Sequence, residues 1–137
     1  MPLMTMQHDE DPAEKLINEI GDLSEFIVPF NKILVGLYVR PNKMKIKGTD
    51  KVFHLSDETV KEDLYQGKAG LILKKGPMAF VDDDRVKFND LRPDVGDWIA
   101  FRPSAGLKID IRSKDGHCIL LRDTEVELVI PAPDVVF

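Results

Sequence analysis

Three consecutive aspartates, Asp82, Asp83 and Asp84, form the densest group of potential metal ligands in the sequence. Carboxylate oxygens bind hard cations such as Ca²⁺, but such a cation takes six or more oxygens. No second acidic cluster with the spacing of a cation-binding loop accompanies them. Because aspartate is also a common turn residue, we interpret the three as the turn of a hairpin and expect no metal site.

The histidines and the cysteine are the other side chains with reactive chemistry. His8, His54 and His117 are scattered, and a catalytic base needs an oriented partner that the sequence does not indicate. Cys118 follows His117 in a strand-like run, which favours a small buried core residue. The sequence has no phosphate-binding glycine loop, dinucleotide fingerprint or nucleophile elbow. We therefore expect neither an enzyme nor a cofactor.

The segment from Asn42 to Gln66 is long for an irregular connection and has an apolar centre between charged flanks. That centre is Val52-Phe53-His54-Leu55, and exposed apolar groups of this kind mark contact surfaces. We interpret the segment as a tethered ligand for a partner. In the alternative, a helix runs from Ser56 to Leu64 and the apolar residues fold back onto the core as a short edge strand.

Length and composition limit the classes of protein. A chain of 137 residues with 43% hydrophobic content is long enough for one domain with a real core. The net charge of -5 argues against a nucleic-acid-binding surface, which would concentrate lysine and arginine. No apolar run approaches the length of a membrane-spanning helix, and the amino terminus has no signal-peptide pattern. A single cysteine forms no internal disulfide, which fits a reducing cytoplasm.

The amino-terminal extension, residues 1–26, is expected to be disordered over residues 1–5 and then to form a short helix. Asp11-Pro12-Ala13-Glu14 is a helix-start signal, with aspartate as the N-cap and proline at the first helical position. Leu16, Ile17, Ile20 and Leu23 follow at helical spacing. The opposite face is acidic, so this apolar face is expected to dock on the chain's own domain and not on a membrane.

Most of the chain after this helix is predicted to form strands. They cover Phe26–Val39, Ala69–Leu73, a hairpin of Met78–Val81 and Arg85–Phe88 around the three aspartates, Asp97–Phe101, Leu107–Ile111, His117–Leu121 and Val126–Ile130. Residues 113–116 are expected to form a turn. Many short strands with turn signals imply a mainly β protein built as a small, partly open antiparallel barrel over residues 27–130, with a tail at 131–137.

The order of these features resembles the GroES-type co-chaperonins over about residues 27 to 130. Two motifs carry the resemblance: Gly70 and Gly76, six residues apart around an apolar strand, and the stretch Val95-Gly96-Asp97 followed by Trp98-Ile99-Ala100-Phe101. A strand with a proline near its start, the long polar segment with an apolar centre, and the terminal strand over 126–130 occur in the family's order.

The resemblance implies a barrel subunit of a seven-membered ring that caps the folding chamber of a GroEL-type chaperonin. In the family, the loop after the first strand is mobile in the free ring and its apolar tripeptide docks on the chaperonin. Carried over, the contact residues are Val52, Phe53, His54 and Leu55, with the three apolar residues as anchors. The hairpin 78–88 corresponds to the roof, with Asp82, Asp83 and Asp84 near its tip.

The same resemblance implies that unfolded client proteins are reached only indirectly and that the chaperonin supplies the ATP cycle, so the lid needs no cofactor. The amino-terminal extension and the tail have no counterpart in ordinary members, which indicates a divergent, phage-type co-chaperonin. The rival interpretation is a phage virion or assembly protein with a small β-barrel core and no chaperonin partner. The substrate domain of a zinc-dependent alcohol dehydrogenase would need zinc-ligand cysteines and a nucleotide domain, which this chain lacks.

Overall fold

The computed structural model describes residues 4–6, 11–38, 43–46, 52–54, 69–84, 87–88, 92–110 and 117–133. Its elements are β1 (Met4–Met6), α1 (Pro12–Ile20), β2 (Lys32–Leu37), β3 (Lys43–Ile46), β4 (Val52–His54), β5 (Ala69–Lys75), β6 (Trp98–Phe101), β7 (Leu107–Asp110), β8 (His117–Arg122) and β9 (Val126–Ile130). A short 3-10 helix, Asp123–Glu125, links β8 to β9. The protein is mainly β, as the sequence predicts.

Six strands form one antiparallel sheet in the order β7-β8-β2-β5-β6-β9. The central strand β2 pairs with β5 on one side and with β8 on the other, so that Val35 lies between Ile72 and Ile119. The strands β7 and β9 form the edges and do not pair with each other in the described part of the chain. The antiparallel sheet is therefore confirmed, but its hydrogen bonding does not close it into a barrel.

Both faces of the central strands β2, β5, β6 and β8 are buried, because residues of each strand enter both of two hydrophobic clusters. The first cluster contains Leu34 and Leu71 and is covered by α1. The second contains Val35 and Ile72, and Phe80 packs into it. Strands that are buried on both faces carry nearly continuous apolar runs, which is why β2, β5 and β8 show so little polar alternation.

The helix α1 begins where the sequence predicts. The Asp11 carboxylate accepts a hydrogen bond from the Glu14 N–H at 3.3 Å, and Pro12 is the first helical residue. Leu16 and Ile20 are buried in the first cluster of the sheet. Docking of this helix on the chain's own domain is thereby confirmed.

The strand that was predicted to begin at Phe26 begins only at Lys32. Before it, Phe30 has a left-handed backbone with φ 52°, and the Lys32 N–H donates to the Pro29 carbonyl at 3.2 Å. Proline cannot donate to a neighbouring strand, and a residue at positive φ cannot continue the pleat. The sheet pairing therefore starts after this bend.

The hairpin predicted over residues 78–88 is wrong in its first half, because Met78–Phe80 forms part of a turn. Phe80 has φ 59°, which is incompatible with a strand. Its ring is buried and meets the ring of Phe88 edge to face, with centroids 5.6 Å apart. Phe80 is stabilised in this turn by burial of its ring and by the hydrogen bond that its backbone N–H donates to Asp123. A turn therefore forms where the sequence predicts a strand.

A second sheet of three antiparallel strands, in the order β1-β3-β4, occupies part of the segment that was predicted to be irregular. The prediction of disorder at residues 1–5 is wrong for Met4 and Thr5, which pair with β3. Val52–His54 is an edge strand, but of this small sheet and not of the six-stranded one. The alternative helix over 56–64, the predicted turn at 113–116 and His8 lie outside the described residues.

Asp123 joins three parts of the chain and is 5% exposed. Its carboxylate accepts hydrogen bonds from the Phe80 N–H at 3.0 Å and from the Asn31 side-chain amide at 3.1 Å. Its own N–H donates to the Asn31 carbonyl at 3.0 Å. Hydrogen bonds of this one residue therefore connect the bend before β2, the turn after β5 and the link between β8 and β9.

Replacing Asp123 by Ala should lower the free energy of unfolding by about 2 kcal/mol, because a hydrogen bond to a charged acceptor contributes about 1.5 to 3 kcal/mol and the buried Phe80 N–H would lose its acceptor. Urea denaturation measures the loss. Asp84→Ala changes an exposed aspartate and should stay within about 0.5 kcal/mol of the unmodified protein. An equal loss in the free energy of unfolding for the two substitutions would contradict the stabilising role of the Asp123 hydrogen bonds.

Candidate functional site

The three-stranded sheet is the candidate contact site, because it carries the apolar centre of the 42–66 segment. Its strand register aligns residues in rows, and residues of one row share a face of the sheet. The rows are Met4 with Ile46; Thr5 with Lys45 and Val52; Met6 with Met44 and Phe53; and Lys43 with His54. Neighbouring rows alternate between the two faces, so the register assigns each residue to one of them.

The two faces of this sheet differ in composition. One of them, called here the methionine face, has apolar residues at all its positions: Met4, Met6, Met44, Ile46 and Phe53. The opposite face is mostly polar: Thr5, Lys43, Lys45, Val52 and His54. A small sheet with one apolar face and one polar face is amphipathic, and such a face requires a partner surface to leave water.

The register divides the predicted contact residues. Phe53 lies on the methionine face, whereas Val52 and His54 lie on the opposite face. Leu55 lies outside the described residues. Sequence reasoning treated the lysines of β3 as a charged flank and missed Met44 and Ile46. The alternation of lysine with an apolar residue from position 43 to 46 was the signal that could have found them.

Both ends of the segment leave the six-stranded sheet at the same point. The Tyr38 N–H donates to the Ala69 carbonyl at 3.0 Å, and Leu37 is paired with Gly70. The extensive strand contacts of β1, β3 and β4 in the described part of the chain are with one another and not with the six-stranded sheet. The strands β3 and β4 thus belong to a sheet of their own within the segment that joins β2 to β5, and β1 adds to that sheet from the amino-terminal side of α1.

The two glycines of the first motif are required by close packing. A Cβ atom at Gly70 would come within 2.3 Å of Val35 Cγ1. At Gly76 it would come within 2.3 Å of the Phe30 carbonyl oxygen, which belongs to the bend before β2. Approaches this short leave no room for any side chain, so both positions need glycine for a steric reason.

The second motif forms a turn against β5. Gly96 has φ 96°, and its N–H donates to the Ile72 carbonyl at 2.9 Å. The Lys75 amine lies 3.0 Å from the Asp94 carboxylate. The hydrogen bond from Lys75, helped by the Val95 N–H and the lysine charge, lowers the pKa of Asp94 below its ordinary value. The turn is therefore held by both backbone and charged contacts at the surface.

The three aspartates do not form a cluster of free carboxylates. Asp82 accepts a hydrogen bond from the Phe88 N–H at 2.7 Å, and its other oxygen lies 3.9 Å from the Arg92 guanidinium. Asp83 and Asp84 are exposed. Within the described ranges, no three His, Cys, Asp or Glu residues come together as candidate metal ligands. Asp82 orients its own loop, which is the role expected of a turn aspartate.

His117 and Cys118 are the first two residues of strand β8. Cys118 is buried, and burial raises the pKa of its thiol to about 11, so the thiol stays protonated and unreactive. His117 is half exposed, and its Nδ1 lies 2.6 Å from the Asp110 carboxylate on β7. The cysteine is a core residue, as predicted, and the histidine makes a cross-strand contact.

A second exposed apolar surface lies at the bend before β2 and the turn after β5. Ile27 is 90% exposed, Phe30 72% and Met78 54%. The Met78 N–H donates to the Phe30 carbonyl at 2.9 Å, which brings the two segments together. Phe30 keeps a left-handed backbone while its ring faces solvent, and strain of this kind is retained where the surroundings or a partner require it. We call Phe26, Ile27, Phe30 and Met78 the bend patch.

An apolar cleft of about 390 Å³ lies beside α1 and is lined by Ile17, Leu23, Leu73 and Val95 among others. Ile17 was predicted on the buried face of α1 but is half exposed in this cleft, because it lies about 100° round the helix from Leu16. On the floor of the cleft, the Lys74 amine donates to the Leu23 and Phe26 carbonyls at 2.7 and 2.6 Å. These bonds fix the chain that leaves the helix.

Neither a protein-family model nor a curated protein matches this chain. Among the described residues, no helix is long and apolar enough to span a membrane. The candidate contact site is the three-stranded sheet, and the bend patch is a second apolar surface in the described part of the chain.

Proposed function

We propose that the protein is a co-chaperonin: a lid subunit that assembles into a ring and binds a GroEL-type chaperonin through the segment between β2 and β5. The observation that carries the proposal is the strand pairing of this segment: β3 and β4, which include most of its apolar centre, pair in an amphipathic three-stranded sheet and not in the six-stranded one. The segment leaves and re-enters the six-stranded sheet at Tyr38 and Ala69, and the central strands of that sheet are packed on both faces. A segment that pairs outside the main sheet is better suited to binding a partner than to stabilising the main sheet.

Assembly into a ring is supported by the bend patch and by the open edges of the six-stranded sheet. Four exposed apolar residues next to each other amount to roughly 500 Å², more than half of one side of a standard interface. Among the described strands, β7 and β9 are the two edges of the sheet, and Leu107 and Leu128 on them are exposed. A patch and an edge at different places on one subunit give a head-to-tail contact, which closes into a ring when the rotation allows.

Ring formation also explains how a weak contact suffices. Each segment has to lose conformational freedom when it docks, so a single contact is weak. Several copies linked in one ring raise the avidity by about 10² to 10⁴. The partner supplies the nucleotide cycle, so a lid of this type needs no nucleotide site of its own.

The test is native mass measurement of the purified protein, followed by gel filtration with a GroEL-type chaperonin in the presence and absence of ATP. We expect a ring of about seven subunits that comigrates with the chaperonin only when ATP is present. A monomer would contradict the proposal. An ordered assembly that never binds the chaperonin would favour the rival interpretation, a virion or assembly protein.

A further inference from the structure

We infer that the cleft beside α1 receives the bend patch of a second copy of this chain, so that each subunit of the ring holds the next one by this contact. The inference rests on the proposed function for the ring itself. Its structural basis is that one chain carries both an exposed apolar bend and an apolar cleft of about 390 Å³.

The bend patch is presented on a backbone that hydrogen bonds hold in place. The Phe26 N–H donates to the Leu23 carbonyl at 3.0 Å, and the Phe26 carbonyl accepts a hydrogen bond from the Lys74 amine at 2.6 Å. At the other end of the patch, the Phe30 carbonyl accepts a hydrogen bond from the Met78 N–H at 2.9 Å. A surface that is ordered before it binds loses little conformational entropy on association.

The chain does not fill its own cleft with this patch. Ile27 is almost fully exposed, although Leu23, four residues earlier, lines the cleft. The Lys74 amine also donates to the Leu23 carbonyl at 2.7 Å, which fixes the segment beside the cleft. Ile17 and Val95 line the cleft and are half exposed. Apolar side chains of another molecule can therefore cover this lining.

The size of the bend patch agrees with a contact between two copies. Its exposed area is roughly 500 Å². A standard interface takes about 800 Å² from each partner, and about 65% of the interface between identical chains is apolar, which amounts to about 520 Å². The patch thus supplies the apolar area that one side of such an interface requires.

The cleft is a better acceptor for the patch than either edge of the six-stranded sheet. Among the described edge residues, β7 and β9 each offer one large exposed apolar side chain, Leu107 and Leu128. The cleft instead combines apolar residues of α1, of the segment after it, of β5 and of the turn before β6, and its volume is within the range of about 300 to 1,000 Å³ that is typical of binding sites. Because patch and cleft are different surfaces of one subunit, their contact is head-to-tail and closes into a ring when the rotation allows.

The experiment measures the native mass of the full chain and of surface variants over a range of protein concentrations. The patch variant is Ile27→Ser/Phe30→Asn, because asparagine tolerates the left-handed backbone of position 30. The cleft variants are Ile17→Lys and Val95→Lys, each of which places a charge in the apolar cleft. They lie on different elements, so a local folding defect in one of them leaves the other informative.

The patch variant and each cleft variant should need at least about tenfold more protein to assemble than the unmodified chain does. An equimolar mixture of the patch variant with a cleft variant should form a one-to-one pair, because the intact patch of one fits the intact cleft of the other. Formation of this pair also shows that both variants are folded. The control Leu107→Thr/Leu128→Thr removes exposed apolar residues from both edges and should assemble like the unmodified chain.

The other outcomes separate this inference from the proposed function. A monomeric unmodified chain would overturn both. Patch or cleft variants that assemble at the same concentration as the unmodified chain would overturn the inference alone, as would a mixture that stays monomeric. Loss of assembly in the edge control would overturn it in favour of an edge strand as the acceptor. If assembly follows the expected pattern but the ring never binds a GroEL-type chaperonin, the proposed function fails and this inference stands.

Discussion

Under the proposed co-chaperonin function, a ring of Phe53→Ala subunits should lose nearly all of its binding to a GroEL-type chaperonin. Burial of a phenylalanine side chain contributes about 1.5 to 3 kcal/mol, so each docking contact should weaken roughly tenfold or more. Every subunit of a ring carries the substitution, and the avidity of the assembly therefore falls far more steeply than a single contact does. This is the largest effect on function that we expect from one residue.

The register supplies a control for this experiment. Val52 precedes Phe53 but lies on the opposite face of the three-stranded sheet, so Val52→Thr, which keeps the β-branched shape, should bind nearly as well as the unmodified protein. Sequence reasoning alone treats both residues as anchors and predicts losses for both. Binding by titration and melting by circular dichroism should be measured together. Unchanged binding with a lowered melting temperature in Phe53→Ala would mean that Phe53 supports the fold and not the contact.

The largest effect on stability should come from Gly76→Ala. The added Cβ would lie 2.3 Å from the Phe30 carbonyl oxygen and 2.8 Å from that of Pro29, and both are backbone atoms that cannot rotate away. Forcing extra atoms into a packed site costs about 1 to 3 kcal/mol, and we expect the upper end here. For a domain of this size, a loss of about 3 kcal/mol lowers the melting temperature by about 10 °C.

Gly96→Ala is the matched control, since a Cβ there meets nothing within 4 Å and only the positive φ of 96° opposes it. We expect a cost of about 1 to 2 kcal/mol for the left-handed backbone. The melting temperatures of the two variants distinguish the cost of steric crowding at Gly76 from the cost of backbone strain at Gly96. Equal melting temperatures would contradict the tight approach of the bend before β2 to Gly76.

The strands of the six-stranded sheet could be predicted from the sequence because their signals are local. Runs such as Ala69–Lys75 and Val126–Ile130 are rich in branched apolar residues and are bounded by Gly, Pro or Asp, so their limits agree with the structure to within a few residues. The start of α1 is likewise marked by Asp11 and Pro12. These features need no knowledge of distant partners.

What could not be predicted depends on pairing between distant parts of the chain. The strand Met4–Met6 is too short to be recognised alone, and it exists because β3 lies beside it. Phe30 and Phe80 have positive φ, which no rule of local preference would assign to an aromatic residue. In the structure, contacts with Gly76, Met78 and Asp123 impose those backbones. The methionine face could be recognised only once the register was known.

The hydrogen bond between Tyr38 and Ala69 has a consequence for how such a protein can diverge. Residues 39–68 leave and re-enter the six-stranded sheet between Tyr38 and Ala69, so changing their number alters the entropy of closing a loop there. That entropy grows only logarithmically, and doubling the length of an insertion costs only about 0.6 kcal/mol. The insertion can therefore be lengthened, shortened or exchanged during evolution with little effect on the stability of the six-stranded sheet that holds it.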